Sequence, residues 1–137
     1  MYKVLIVDDE MIVRVGLKSF IHWEQYGFTV VGEANNGEEA LELADKLRPD
    51  LILTDIKMPK MGGIDLIRHA LERWKEMKIV VLSCVNEFDI LQQAMRYGVK
   101  DYFLKLTFNP DDLIEILNKI RAELDQRKKP AVSGISV

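Results

Sequence analysis

The chain has 137 residues, 48% of them hydrophobic, which suits one domain with its own core and is too short for two ordinary ones. Nineteen basic against 22 acidic residues leave a formal net charge of -3, without the basic surplus of a surface built to hold phosphate backbones, which argues against direct nucleic-acid binding by this segment. A single cysteine cannot form an internal disulfide, and the opening MYKVLIVDDE meets charge after one short apolar run; neither a signal peptide nor a membrane span fits, and the chain reads as cytoplasmic.

From the N-terminus, residues 4–7 (VLIV) form a continuous apolar run of the kind needed by a parallel strand covered on both faces. Val13, Leu17, Phe20 and Ile21 then share a helical face. A weaker strand at 28–31 (FTVV) precedes a helix striped by Ala40, Leu43, Ala44 and Leu47. A strand at 51–53 (LIL) leads to a helix with Ile64, Ile67, Leu71 and Trp74 on one side. The fourth strand, 79–82 (IVVL), is followed by a helix marked by Leu91, Ala94 and Met95 and closed by Gly98 as a left-handed cap. The last strand, 102–104 (YFL), precedes a helix striped by Leu113, Ile116, Leu117, Ile120 and Leu124, with Asn109 as its cap and Pro110 at its first position. The two weaker strands suit sheet edges. Strict alternation of this kind implies a doubly wound, five-stranded parallel α/β sandwich. The pattern stops after Arg127, so residues 1–127 read as the domain and 128–137 (KKPAVSGISV) as a linker or tail.

In an open α/β sheet the ligand site lies beyond the carboxyl ends of the strands. The first strand runs into Asp8, Asp9 and Glu10, the third into Asp55, the fourth into Ser83 and the fifth into Lys105. If the strand order is 2-1-3-4-5, as in a flavodoxin-like winding, strands 1 and 3 are neighbours and Asp8, Asp9 and Asp55 form one acidic cluster. Two like charges about 4 Å apart repel by roughly 4 kcal/mol at an effective dielectric near 20, so such a cluster takes up protons or binds a cation. Carboxylate oxygens with no neighbouring His or Cys favour magnesium, which shares its shell readily with phosphate. Phosphoryl chemistry follows, with Lys105 and Ser83 placed to meet phosphoryl oxygens.

The ordered set VDDE, LTDIKMPKMGG, VVLS and DYFLK resembles the receiver domain of two-component response regulators over about residues 2–125. IHWEQYGF and EANNGEEAL make it most similar to receivers joined to AraC-type DNA-binding domains. The resemblance implies that Asp55 accepts a phosphoryl group from a sensor histidine kinase, in a reaction the domain itself catalyses. It implies that Asp8, Asp9, Asp55 and the Lys57 backbone carbonyl hold magnesium, with no other cofactor, and that Lys105 pairs with the phosphoryl oxygens. Ser83 and Tyr102 match the family's switch pair, which reshapes the face made by helix 4, strand 5 and helix 5, a possible homodimer surface. DNA would be reached only through a C-terminal output domain outside this chain.

Several residues carry plainer readings. Ser83 could simply end a strand, and Tyr102 could be an amphipathic edge residue. Glu10 reads as a cap for the first helix rather than a ligand. His22 and His69 lie away from the strand ends, Cys84 reads as a small packing residue, and Trp23 and Trp74 as packing or partner-facing aromatics. Rival functions are a flavodoxin-like cofactor module, disfavoured because Asp8 and Asp9 would repel a flavin phosphate, and a haloacid-type phosphohydrolase, disfavoured by the missing D-x-D and cap domain. A stand-alone receiver or a phosphate-independent interaction module remains as the alternative within the family.

This sequence departs from the family pattern at three positions. Leu106 replaces the proline that usually follows the lysine, and since a non-proline cis bond costs roughly 2.5–4 kcal/mol, a trans Lys105–Leu106 peptide is expected. Cys84 is bulkier than the usual neighbour of the switch hydroxyl, and Val85 offers no polar group to orient an attacking water. Slow self-dephosphorylation is therefore expected, although Lys57 could oppose it by reaching the phosphoryl group. Following loss of the phosphoryl group from the isolated domain checks this, and a half-life of seconds would refute it.

Overall fold

The computed structural model describes residues 1–84, 87–105 and 109–128. Its five strands are β1 (Tyr2–Val7), β2 (Phe28–Ala34), β3 (Leu51–Asp55), β4 (Lys78–Ser83) and β5 (Asp101–Leu104), all parallel and ordered β2-β1-β3-β4-β5. The helices are α1 (Met11–Phe20), α2 (Gly37–Leu47), α3 (Gly63–Arg73), α4 (Phe88–Tyr97) and α5 (Pro110–Lys128). Val85, Leu106 and residues 129–137 lie outside the described residues, and with them the expectations about the Lys105–Leu106 bond, water orientation at Val85 and the tail.

The continuous apolar runs are explained by two cores, one on each face of the sheet. Along β1, Val4 and Ile6 join the cluster that includes Leu17 of α1 and Leu113, Leu117 and Ile120 of α5. Leu5 and Val7 point the other way, toward Ala40 and Ala44 of α2 and Leu66 and Ile67 of α3. Successive strand residues face opposite sides, so only a strand buried on both faces can be apolar throughout.

The register carries the strand ends to one rim. Val7 pairs with Thr54, so Asp8 and Asp55 follow side by side; Ser83 pairs with Leu104, so Lys105 comes next. The amide N–H of Lys105 donates to the Ser83 carbonyl at 2.9 Å and continues that pairing. β2 extends to Ala34, past the predicted 28–31, because an irregularity between Val4 and Leu5 lets the pairing skip one residue and resume at Gly32.

Local signals fix the loops. Asn36 Oδ1 accepts from the Glu39 amide at 2.9 Å, capping α2, and Glu39 Oε1 accepts from the Asn35 amide at 2.9 Å. Asn109 Oδ1 caps α5 through the Asp111 amide at 2.9 Å. Gly98 ends α4 at φ 101°. The segment IHWEQYGF contains a short 3-10 turn, Trp23–Tyr26, whose Trp23 is buried with its indole N–H donating to the Leu17 carbonyl at 3.1 Å. Trp74 is half-buried, with the guanidinium groups of Arg48 and Arg73 5.8 and 5.9 Å from its ring centre.

Three helix readings need correction. α3 turns Leu66, Ile67 and Ala70 fully inward, leaving Ile64, Leu71 and Trp74 at the margin, so its face is rotated from the predicted stripe. On α4 only Ala94 is buried, and Met95 is 44% exposed, since this helix shields little of the sheet. α5 continues through Lys128, one residue past the predicted end.

The loop after β3 folds back tightly. The Gly63 amide donates to the Ile56 carbonyl at 2.6 Å and the Gly37 amide to the Met61 carbonyl at 2.8 Å. A Cβ at Gly63 would lie 2.3 Å from the Asp55 carbonyl oxygen, against backbone that cannot give way. Gly63→Ala should therefore destabilise the fold by about 3 kcal/mol or more, at the upper end of overpacking costs. Urea denaturation of the two proteins measures it; an unchanged midpoint would contradict the packing argument.

Candidate functional site

The rim gathers four ionic side chains, three acids around one ammonium. Lys105 Nζ lies 3.0 Å from Asp8 Oδ2, 3.2 Å from Asp55 Oδ2 and 3.4 Å from Glu10 Oε1. Asp8 and Asp55 are 0% and 5% exposed, so both carboxylates are withdrawn from water at the ends of neighbouring strands. Asp55 Oδ1 accepts from the Ile56 amide at 2.8 Å, and Asp8 Oδ1 from the Glu10 amide at 2.9 Å.

Burial and repulsion act together on the acids. Burial, reinforced by the Asp8 charge and opposed by Lys105, raises the Asp55 pKa to about 6. The Asp8 pKa is also raised, chiefly by burial, against the Glu10 amide and Lys105. For Lys105, burial is the largest single influence and would lower the pKa, but the two aspartates together outweigh it and the value is raised.

Asp9 and Glu10 are exposed beside this cluster, and Asp8, Asp9 and Glu10 each offer a carboxylate oxygen within 4.8 Å of the others. Asp55 is not part of this group of three and is joined to it by the Lys105 ammonium, which contacts both Asp8 and Asp55. Asp8 Oδ2 is buried and has no aligned hydrogen bond, despite the ammonium at 3.0 Å. An all-oxygen donor set with an underused buried carboxylate oxygen fits a hard divalent cation such as magnesium. Lys57 is exposed, and no hydrogen bond reaches its backbone carbonyl among the described residues.

Among the described residues, no hydrogen bond or ion pair joins the remaining predicted side chains to Asp55. Ser83 is buried and its hydroxyl donates to the Cys84 carbonyl at 3.0 Å. Tyr102 is 43% exposed on the edge strand. Cys84 is half-buried, and burial, then the Glu87 charge, raises its thiol pKa, which suits packing rather than reactivity. His22 is exposed and His69 half-buried on α3, both outside the ionic cluster.

Sequence reading missed three contributors. Glu10 occupies the N-cap position of α1 but makes no side-chain cap; its carboxylate turns to Lys105, a correction its place as the third acid of VDDE could have suggested. Glu87 is 5% exposed, with Oε1 accepting from the Cys84 amide at 2.7 Å and Oε2 4.0 Å from Lys57 Nζ, tying the loop after β4 to the loop after β3. Arg14 donates to the Asp8 carbonyl at 2.6 Å, a contact no local pattern announces.

The chain belongs to the response regulator receiver domain family, whose model matches residues 4–118. It is 40% identical over 127 residues to the transcriptional regulatory protein YesN of Bacillus subtilis, covering 93% of this chain and 34% of that protein. The receiver domain of AraT, a response regulator from Geobacillus stearothermophilus, superposes with a TM-score of 0.88 at 41% identity, covering 93% of this chain and 98% of that one. A two-component transcriptional regulator AraC from Clostridium phytofermentans gives 0.85 at 28% identity, covering 95% of this chain and 100% of that one. The chain spans about a third to two fifths of the length of the first curated relatives it matches. Among the described residues no helix is long and apolar enough to cross a membrane.

The Asp55 shift has a consequence for stability. Folding raises its pKa from the ordinary 3.8 to about 6, so the folded protein holds more protons than the unfolded chain between those values, and this group's stability contribution falls as pH rises through the window. With divalent cations chelated, Asp55→Asn should be more stable than wild type near pH ~7 by about 1–3 kcal/mol, and the gap should close below pH ~4. Urea melts at the two pH values measure it, and a gap independent of pH would defeat the assignment.

Proposed function

We propose that the domain is a phosphorylation-controlled switch in which Asp55 accepts a phosphoryl group from a phosphohistidine of a sensor kinase. The observation that carries this reading is the buried Asp55 carboxylate, 3.2 Å from the Lys105 ammonium and beside the acidic turn. Above pH about 6 Asp55 is ionised and can act as the nucleophile. Its oxygen would form a bond to phosphorus as the phosphorus–nitrogen bond to the donor imidazole breaks. Lys105, already desolvated and fixed by two carboxylates, meets the charge gathering on the phosphoryl oxygens.

Asp8, Asp9, Asp55 and the Lys57 carbonyl would hold magnesium, with Glu10 within reach. When bound, the ion supplies positive charge that offsets repulsion between the acids and the incoming phosphoryl group. Ser83 and Tyr102 serve as the switch pair: the Ser83 hydroxyl exchanges the Cys84 carbonyl for a phosphoryl oxygen, and the outward Tyr102 ring turns inward. Phosphorylation then favours a second conformation of the face formed by α4, β5 and α5, because only that conformation gains the Ser83 contact. Phe88, Met95, Tyr97 and Tyr102 expose apolar surface there, which supports its use for a partner or a second copy.

Residues 1–127 form the signalling unit on this reading. An AraC-type DNA-binding output is inferred from the relatives described as transcriptional regulators, YesN and AraC, with this chain covering 34% of YesN. The setting is cytoplasmic, where a sensor kinase presents its phosphohistidine.

Incubation with acetyl phosphate and magnesium, read by intact-mass spectrometry, tests the acceptor. Wild type should gain one phosphoryl group and Asp55→Ala none, while Lys105→Ala should slow the gain by about 10²–10³-fold. A wild type that takes up no label, or an Asp55→Ala protein labelled like wild type, would overturn the proposal.

A further inference from the structure

Besides Lys105, Arg14 reaches the acidic turn from outside it. Its side chain is 14% exposed, with Nε 3.0 Å from Glu33 Oε1 and Nη1 2.6 Å from the Asp8 carbonyl oxygen. Glu33 lies on β2 opposite Ile6, two residues before Asp8 on the neighbouring strand. Lys18, one turn along α1, takes the second Glu33 oxygen at 2.5 Å. Lys18 first and Arg14 after it, working against burial, hold the Glu33 carboxyl below its ordinary range.

The turn is thus gripped through both ends of one residue. The Asp8 amide donates to the Ala34 carbonyl of β2 at 3.0 Å, and the Asp8 carbonyl is held by the guanidinium. That carbonyl belongs to the peptide joining Asp8 to the exposed Asp9. Its plane sets where the Asp9 carboxylate starts from and how the amide of Glu10 reaches Asp8 Oδ1. Among the described residues, Arg14 is the only side chain that donates to it.

We propose that Arg14 is a positioning residue for the cation site, clamping the Asp8 carbonyl to β2 through Glu33 so that the carboxylates of Asp8, Asp9 and Glu10 are presented in a fixed arrangement. This rests on the reading that the turn binds magnesium. A turn ordered in advance loses less freedom when the ion binds, and outer contacts of this kind typically carry about 10–100-fold in metal affinity.

The sign of the effect separates positioning from charge. Arg14 and Lys18 are both cations near an acidic turn, so simple Coulomb repulsion would make removal of either one strengthen cation binding. Positioning demands the opposite for Arg14 alone.

Magnesium titrations of wild type, Arg14→Met, Arg14→Lys and Lys18→Met, followed by amide NMR shifts of residues 8–10, decide the matter. Arg14→Met should bind about 10-fold more weakly. Lys18→Met should bind as tightly as wild type or more so, and Arg14→Lys should recover part of the loss. Arg14→Met binding as well as wild type, or Lys18→Met weakened equally, would overturn the inference. Should Arg14→Met fail to fold by circular dichroism, the pair Arg14→Lys and Lys18→Met decides: weaker binding in the first alone supports the clamp, and equal binding refutes it. A wild type that shows no magnesium response defeats the cation-site reading and the clamp together, whereas wild-type binding with an unaffected Arg14→Met defeats the clamp alone.

Discussion

The site depends on one ammonium group shared by two buried carboxylates. Asp8 and Asp55 end adjacent strands, and burial alone pushes both toward the protonated form. Lys105 lies within 3.2 Å of each and keeps the pair from being two uncompensated charges in a dry rim. A charged pair in such surroundings persists only when the partner geometry is held by the fold. The three residues stand at the carboxyl ends of β1, β3 and β5, Asp8 and Lys105 one residue past their strands, so the whole width of the sheet beyond β2 must be in register for the charges to meet.

That requirement explains features far from the charges. The two apolar cores fix the strands from both faces, and with them the pleat that sends Asp8 and Asp55 to the same rim. The loop after Asp55 is folded so closely that Gly63 cannot carry a side chain, and Gly37 ties the start of α2 to the same loop. Glu87 and Lys57 link the loops after β4 and β3, and Arg14 holds the turn after β1. Like charges at strand ends cost stability locally; the burial on both faces of the sheet offsets that cost globally.

The central strands were legible because a parallel strand covered on both faces must be apolar at every position, and VLIV, LIL and IVVL have no other comfortable reading; their order was assumed rather than read, since apolar runs do not say which strands are neighbours. Asp55 and Lys105 were legible because each is the first charge after an apolar run, LIL for Asp55 and the weaker YFL for Lys105. The acidic turn was only half legible, since helix-cap chemistry and metal chemistry favour the same acids and Glu10 satisfies either pattern. Glu87 and Arg14 act through contacts between elements distant in sequence, or through a backbone carbonyl, and neither leaves a periodic trace. The faces of α3 and α4 were misjudged because further apolar residues, Ile64, Leu71 and Trp74 at α3 and Leu91 and Met95 at α4, border each buried stripe, and the sheet beneath decides which are covered.

The edge position of β5 ties the chemistry to the surface. β5 is four residues long, pairs only with β4, and carries Tyr102 outward and Phe103 inward just before Lys105. The Lys105 amide donates to the Ser83 carbonyl at 2.9 Å, so the cation and the hydroxyl proposed to follow the phosphoryl group share one backbone contact. A central strand could not move without disturbing two neighbours and both cores. A short edge strand can shift against one neighbour, and its exposed tyrosine has room to change sides. On the proposed reading, the rim therefore places its acceptor on a strand that cannot move and its cation on one that can, and this division lets a local change of charge become a change of surface.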